Sequence, residues 1–255
     1  MVLPSVEALA NGLTATLIIV TGYLIAIRLL IAIRQSGSKL LPAQALFAFC
    51  LGSFYLGSVI SFWVMSFTGY NLQPDWLGNL PPYSFVGILD FTVSPIGVCA
   101  AMYIGFSMIK PKIVKPMVTI YAITAIPFWA NLWFNWLGPS QNIPAVGAGN
   151  LVDIGLLGLS GIFTAVYILS LILIAGGGFI YLAKISTGEI KRRSTFYAIG
   201  IMLFSLAGIT ETQVHLVEMG LSILLVVIRL VMVGAYIILY KAMIPPKQSF
   251  PPVHD

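Results

Sequence analysis

Seven long apolar stretches follow one another along the chain, at about residues 9–33, 42–68, 83–109, 116–136, 154–183, 194–215 and 220–243. A helix needs about 20 apolar residues to cross a bilayer core, and every stretch reaches that length. Strands of a membrane barrel would instead alternate apolar and polar positions over ~10 residues. The runs therefore predict an all-α membrane protein, a seven-transmembrane helix bundle, because a helix satisfies its own backbone groups where water is absent.

Charge sets the expected orientation. Arg28, Arg34 and Lys39 lie around the connection after the first stretch, Lys110, Lys112 and Lys115 after the third, and Lys184, Lys191, Arg192 and Arg193 after the fifth. Lys241 and Lys247 mark the end of the seventh, whereas the other three connections hold no Lys or Arg and carry Asp75, Asp153 and the Glu211/Glu218 region. Basic residues collect on the cytoplasmic side, so the N-terminus is expected outside and the C-terminus in the cytoplasm. A missing or added helix would break the alternation, which independently supports seven. The reading is one domain over residues 1–245 with a short cytoplasmic tail at 246–255, multi-pass in the cell membrane.

Composition agrees: 59% of residues are hydrophobic and 8% charged. Cations placed at helix ends speak for topology and contact with anionic lipid, not for nucleic acid. The segment from Lys184 to Arg193 reads as a solvated loop, with a cytoplasmic protein partner at the basic loops as the second reading. No basic n-region or small-residue cleavage site opens the chain, so the first helix is expected to remain as an anchor. Cys50 and Cys99 both fall inside predicted helices and propose neither a disulfide nor a metal pair. Trp63, Trp76, Trp129, Trp133 and Trp136 all map to the outer half, as an aromatic belt would.

One cation of the 13 is out of place, because Arg229 lies inside the seventh stretch. A charge at the centre of a spanning helix costs at least ~2.5 kcal/mol, so it is expected to face the bundle interior and to have a partner. Arg229 lies about 9 residues, or ~14 Å, below the outer end of its helix, and Asp90 on the third lies at ~11 Å. The near match of depths predicts an Asp90–Arg229 ion pair, with Glu211 as a competing or additional anion. Ser222, Arg229, Tyr236 and Tyr240 form one stripe on the seventh helix, and Asp90, Ser94, Gly97 and Ala101 one on the third. Gly208, Glu211, His215 and Glu218 align on the sixth, and Ser160, Thr164 and Tyr167 on the fifth. Together these stripes predict a polar cavity open toward the outside. Asn131 and Asn135 on the fourth helix are candidates either for its wall or for interhelical glue.

Enzymatic chemistry is not expected. Glu211, His215 and Glu218 share one helical face, but the chain has only two histidines, which leaves His215 and Glu218 as weak metal candidates. No nucleophile elbow, phosphate loop or dinucleotide fingerprint stands in a suitable context. Internal repeats and paired interrupted helices, common in transporters, are also not evident.

The outline resembles a microbial rhodopsin: seven helices, an outside N-terminus, a mid-membrane acid on the third helix and a cation on the seventh. The run Asp90-Phe91-Thr92-Val93-Ser94-Pro95 is similar to that family's acid, aromatic residue and later proline, though shorter by one residue. On the seventh helix, Leu225 and Arg229 fall where the family has an acid and its retinal-binding lysine. Arginine cannot form the required Schiff base, so the resemblance implies a non-retinal pocket and no cofactor. The chain also resembles G-protein-coupled receptors in topology, but Phe106-Ser107-Met108-Ile109-Lys110 lacks their acid-Arg-aromatic triplet.

The function expected from these features is a membrane sensor or receptor-like protein that takes a small ligand from the outside into a pocket centred on Asp90 and Arg229. A small-solute or proton-coupled transporter, a non-catalytic subunit of a larger complex, and a plain structural ion pair remain as alternatives.

Overall fold

The computed structural model describes residues 6–36, 38–68, 85–139, 141–142, 155–156, 158–212 and 222–244. Helix α1 spans Val6–Ser36, α2 Leu41–Ser53, α3 Leu56–Thr68, α4 Phe85–Phe91 and α5 Ser94–Ile109. A 3-10 turn at Pro111–Ile113 leads into α6, Val114–Phe134. Helix α7 (Gly158–Ser170) passes through a π-helical stretch, Leu171–Gly176, into α8 (Gly177–Ile185), and α9 (Gly188–Thr212) and α10 (Ser222–Met243) follow. A two-residue antiparallel ladder pairs β1 (Gln141–Asn142) with β2 (Gly155–Leu156). Otherwise the described residues form helices and their connections.

Among the described residues, six helices are long and apolar enough to cross a membrane. The pair α2 and α3, bent by 43° where they meet, makes a seventh if it is one span. Their outward faces carry large bare apolar side chains, among them Leu24, Ile27 and Ile31 on α1 and Ile120, Ile123 and Ile126 on α6. Their inward faces hold Asn11, Ser58, Asp90, Ser94, Asn131 and Arg229. An apolar exterior of this extent suits lipid, where exposing it carries no hydrophobic penalty.

The helices pack largely in chain order, α1 on α2, α2 on α5, α5 on α6 and α9 on α10, and α10 returns to α1 and closes the ring. Helix α5 also touches α7, α8 and the π-helical stretch, which puts it toward the middle. Glycine sets the closest approach: a Cβ on Gly22 would stand 2.8 Å from the Cα of Gly52. With both side chains absent, the backbones of α1 and α2 meet directly, the usual device where lipid gives helices no hydrophobic reason to associate.

Several expectations change. The stretches 42–68 and 83–109 each read as one helix, with Pro95 a place for the latter to bend, whereas each is interrupted, at Phe54–Tyr55 and at Thr92–Val93. Part of the segment read as a solvated loop is helical from Gly188, because Glu189 Oε1 accepts from Arg192 Nη2 at 2.9 Å and Arg193 Nε at 3.1 Å one turn on. Asp75, Asp153, His215, Glu218 and Trp76 lie outside the described residues.

Candidate functional site

Asp90 explains the bend between α2 and α3. At Phe54–Tyr55 the helical ladder opens, and the amides of Gly57 and Ser58 would leave the first turn of α3 with bare N–H groups. The Asp90 carboxylate fills that need from another helix. Its Oδ1 accepts from Gly57 N at 2.6 Å and Ser58 N at 3.2 Å, and its Oδ2 accepts from Ser58 Oγ at 2.7 Å. A carboxylate at a helix N-terminus is favoured both by these donors and by the helix dipole. Gly57 permits the arrangement, since a Cβ there would collide with the carbonyl of Val86.

A second break adjoins the first. Pro95 has no amide hydrogen, and the chain between α4 and α5 leaves the carbonyl of Thr92 to accept from Trp129 Nε1 at 2.8 Å. Thr92 Oγ1 donates to the Ile88 carbonyl and accepts from Trp133 Nε1 at 3.0 Å. The two indoles thereby fasten α6 to the break rather than serving only as a head-group belt.

Arg229 takes Glu211, not Asp90, as its ion-pair partner. Nε lies 2.7 Å from Glu211 Oε1, and Nη1 donates to the backbone carbonyl of Asn11 at 2.9 Å. Tyr55 donates its hydroxyl to Glu211 Oε2 and places its ring 5.4 Å from the guanidinium carbon, which adds a cation–π contact. Only 1% of Arg229 is exposed, so this cluster takes a fully desolvated cation and ties α1, the α2–α3 junction, α9 and α10 together. The depth match that selected Asp90 assumed straight helices. The break at Phe54–Tyr55 instead turns an α3 amide terminus toward Asp90, and that terminus is where its carboxylate binds.

Between the Asp90 and Glu211 clusters lies a cavity of about 150 Å³. Tyr55, Ser58, Asp90, Ser94 and Glu211 contribute to its wall, as do Thr164 and Tyr167 from α7, Ser205 and Gly208 from α9, and Met232 from α10. Phe54, Phe91, Phe204 and Leu171 make it mainly apolar. Three interruptions of α-helix therefore border one space: the two breaks and the start of the π-helical stretch. Irregular backbone at membrane depth is tolerated where it lines a cavity, and π-helical turns gather at functional sites.

Three hydroxyls in the wall, Ser94 Oγ, Thr164 Oγ1 and Ser205 Oγ, are buried with no hydrogen-bond partner among the described residues. Each such group costs about 1–3 kcal/mol if left bare, so three around one space is an arrangement that a guest or water would relieve.

The remaining expected residues sit elsewhere. Asn131 Nδ2 donates to Ser160 Oγ at 3.0 Å and its Oδ1 accepts from Leu137 N at 3.0 Å, which joins α6 to α7 and caps the end of α6. Asn135 ends α6 in a left-handed conformation, φ 49°. Neither lines the cavity, and the interhelical role is observed for Asn131. Tyr236 is buried, packs edge-on against Phe204 at 5.2 Å and also stays outside the lining. Sequence reasoning missed Tyr55, Ser58 and Ser205. Ser205 continues the Gly208–Glu211 face at i−3 and could have been found, whereas Tyr55 has no periodic signal because it lies in the break itself.

No protein-family model, no curated protein and no solved structure significantly matches this chain.

Proposed function

We propose that the chain is a seven-span membrane sensor or receptor-like protein, non-catalytic and without retinal, in which α2 and α3 form one broken span and the cavity opens toward the outside. The observation that carries this reading is the trio of unpartnered hydroxyls, Ser94, Thr164 and Ser205, around a cavity of about 150 Å³. A cavity near that volume suffices for a benzene-sized guest. The outside orientation rests on the basic connections at the opposite helix ends. The outline shared with microbial rhodopsins extends to the place of the cavity among the helices only as an analogy of plan, since Arg229 occupies the position of the lysine.

As a sensor, the protein would exchange two arrangements of the interrupted spans, and a ligand that bound one better would shift their populations. The broken second and third spans also favour a transporter reading, because discontinuous helices beside a midplane site are a transporter device.

One experiment addresses the pocket itself. Benzyl alcohol is titrated into protein held in lipid nanodiscs, with tryptophan fluorescence read against empty nanodiscs. Trp129, bonded to Thr92 beside the cavity, is the expected reporter. A saturable change that disappears in Ser205→Leu, which fills the space, is the expected result. A linear response identical in both proteins would mean lipid partitioning alone and would remove the pocket reading. Uptake of labelled benzyl alcohol into proteoliposomes then separates transporter from sensor.

A further inference from the structure

We infer that the guest of this cavity is a small monocyclic cation, an aromatic or alicyclic ring bearing one protonated amine. The inference rests on the pocket reading above and adds to it the sign of the ligand's charge.

Two observations set that sign. Asp90 and Glu211 both reach the wall, whereas Arg229 does not; it is turned to Glu211, Asn11 and the ring of Tyr55. Both acids thus border the space for a guest, while the one guanidinium of the cluster does not. Five aromatic residues, Phe54, Tyr55, Phe91, Tyr167 and Phe204, border the same space. Their faces are negative, so they attract a cation in a desolvated site and also accept an apolar ring.

The unpartnered hydroxyls complete the recognition. Ser94 and Ser205 are each at least nine-tenths buried and carry oxygens with free lone pairs, which an ammonium N–H can fill. An anionic ligand does not suit this geometry, because the wall holds both acids and not Arg229.

The test compares three probes that share a ring and differ in charge: benzylamine, benzyl alcohol and benzoate, titrated at neutral pH into wild-type protein in uncharged-lipid nanodiscs. Benzylamine is expected to bind about tenfold more tightly than benzyl alcohol, the size of effect one charge has across several ångströms of a partly polar site, and benzoate most weakly. In Asp90→Asn the amine-to-alcohol ratio should fall toward one. If benzyl alcohol binds saturably but benzylamine binds no better, or benzoate binds best, the charge inference is overturned while the pocket stands. If none of the three saturates, the pocket reading fails and the inference with it. The wild-type ranking alone decides the sign, so the outcome does not depend on how well Asp90→Asn folds.

Discussion

At the scale of single residues, two buried acids near one cavity do different work. Asp90 replaces a missing turn of backbone partners for α3, and Glu211 neutralises Arg229. Burying an ion pair gives little net stability, but stranding one member of it costs about 3–5 kcal/mol. Arg229→Met should therefore destabilise the protein by about that amount in detergent unfolding, and adding Glu211→Gln should recover a substantial part. A double variant no more stable than the single one would show that Glu211 is satisfied by other groups, Tyr55 foremost.

Residue identity was also where the sequence was most and least informative. Arg229 announces itself, because an isolated cation in an apolar run has few explanations. Its partner does not. Choosing Glu211 over Asp90 required knowing that the second stretch breaks at Phe54–Tyr55, and no proline marks that point. The nearby pairs Gly52-Ser53 and Gly57-Ser58 are the only local hint, and small residues in a membrane helix more often mean close packing.

At the scale of elements, the long helices were plain from hydropathy, since each had to be apolar for some 20 residues. Their irregularities were not, because a π-helical stretch differs from an α-helix by a single residue and leaves the apolar period almost intact. That one residue matters for the site. Removing Ile172 from the stretch Leu171–Gly176 should regularise the helix and withdraw the wide turn at Leu171 that borders the cavity. Circular dichroism should stay near wild type while the benzyl alcohol response is lost. A deletion variant that still binds would show that the α7 wall is dispensable.

At the scale of the whole molecule, the expected orientation awaits a topological measurement. The native cysteines are buried or half-buried, so a membrane-impermeant maleimide should find little to label in the unaltered protein. In intact cells it should label Trp136→Cys, a position 67% exposed just past the end of α6 that is expected outside, and should reach Ser38→Cys only after permeabilisation. The reverse pattern would place the cavity mouth in the cytoplasm and the basic ends outside.

The closing of the ring has a bearing on how the protein is made. Arg229 Nη1 reaches a carbonyl 218 residues earlier in the chain. During synthesis α1 is in the membrane long before α10 exists, and α10 must enter with a charge whose acceptors belong to helices already there. Entry of α10 is therefore a step that only a correctly gathered set of earlier helices can receive. A chain stalled before that step would leave the side of α1 that α10 covers open, and the same seam is where two separately expressed halves should find each other.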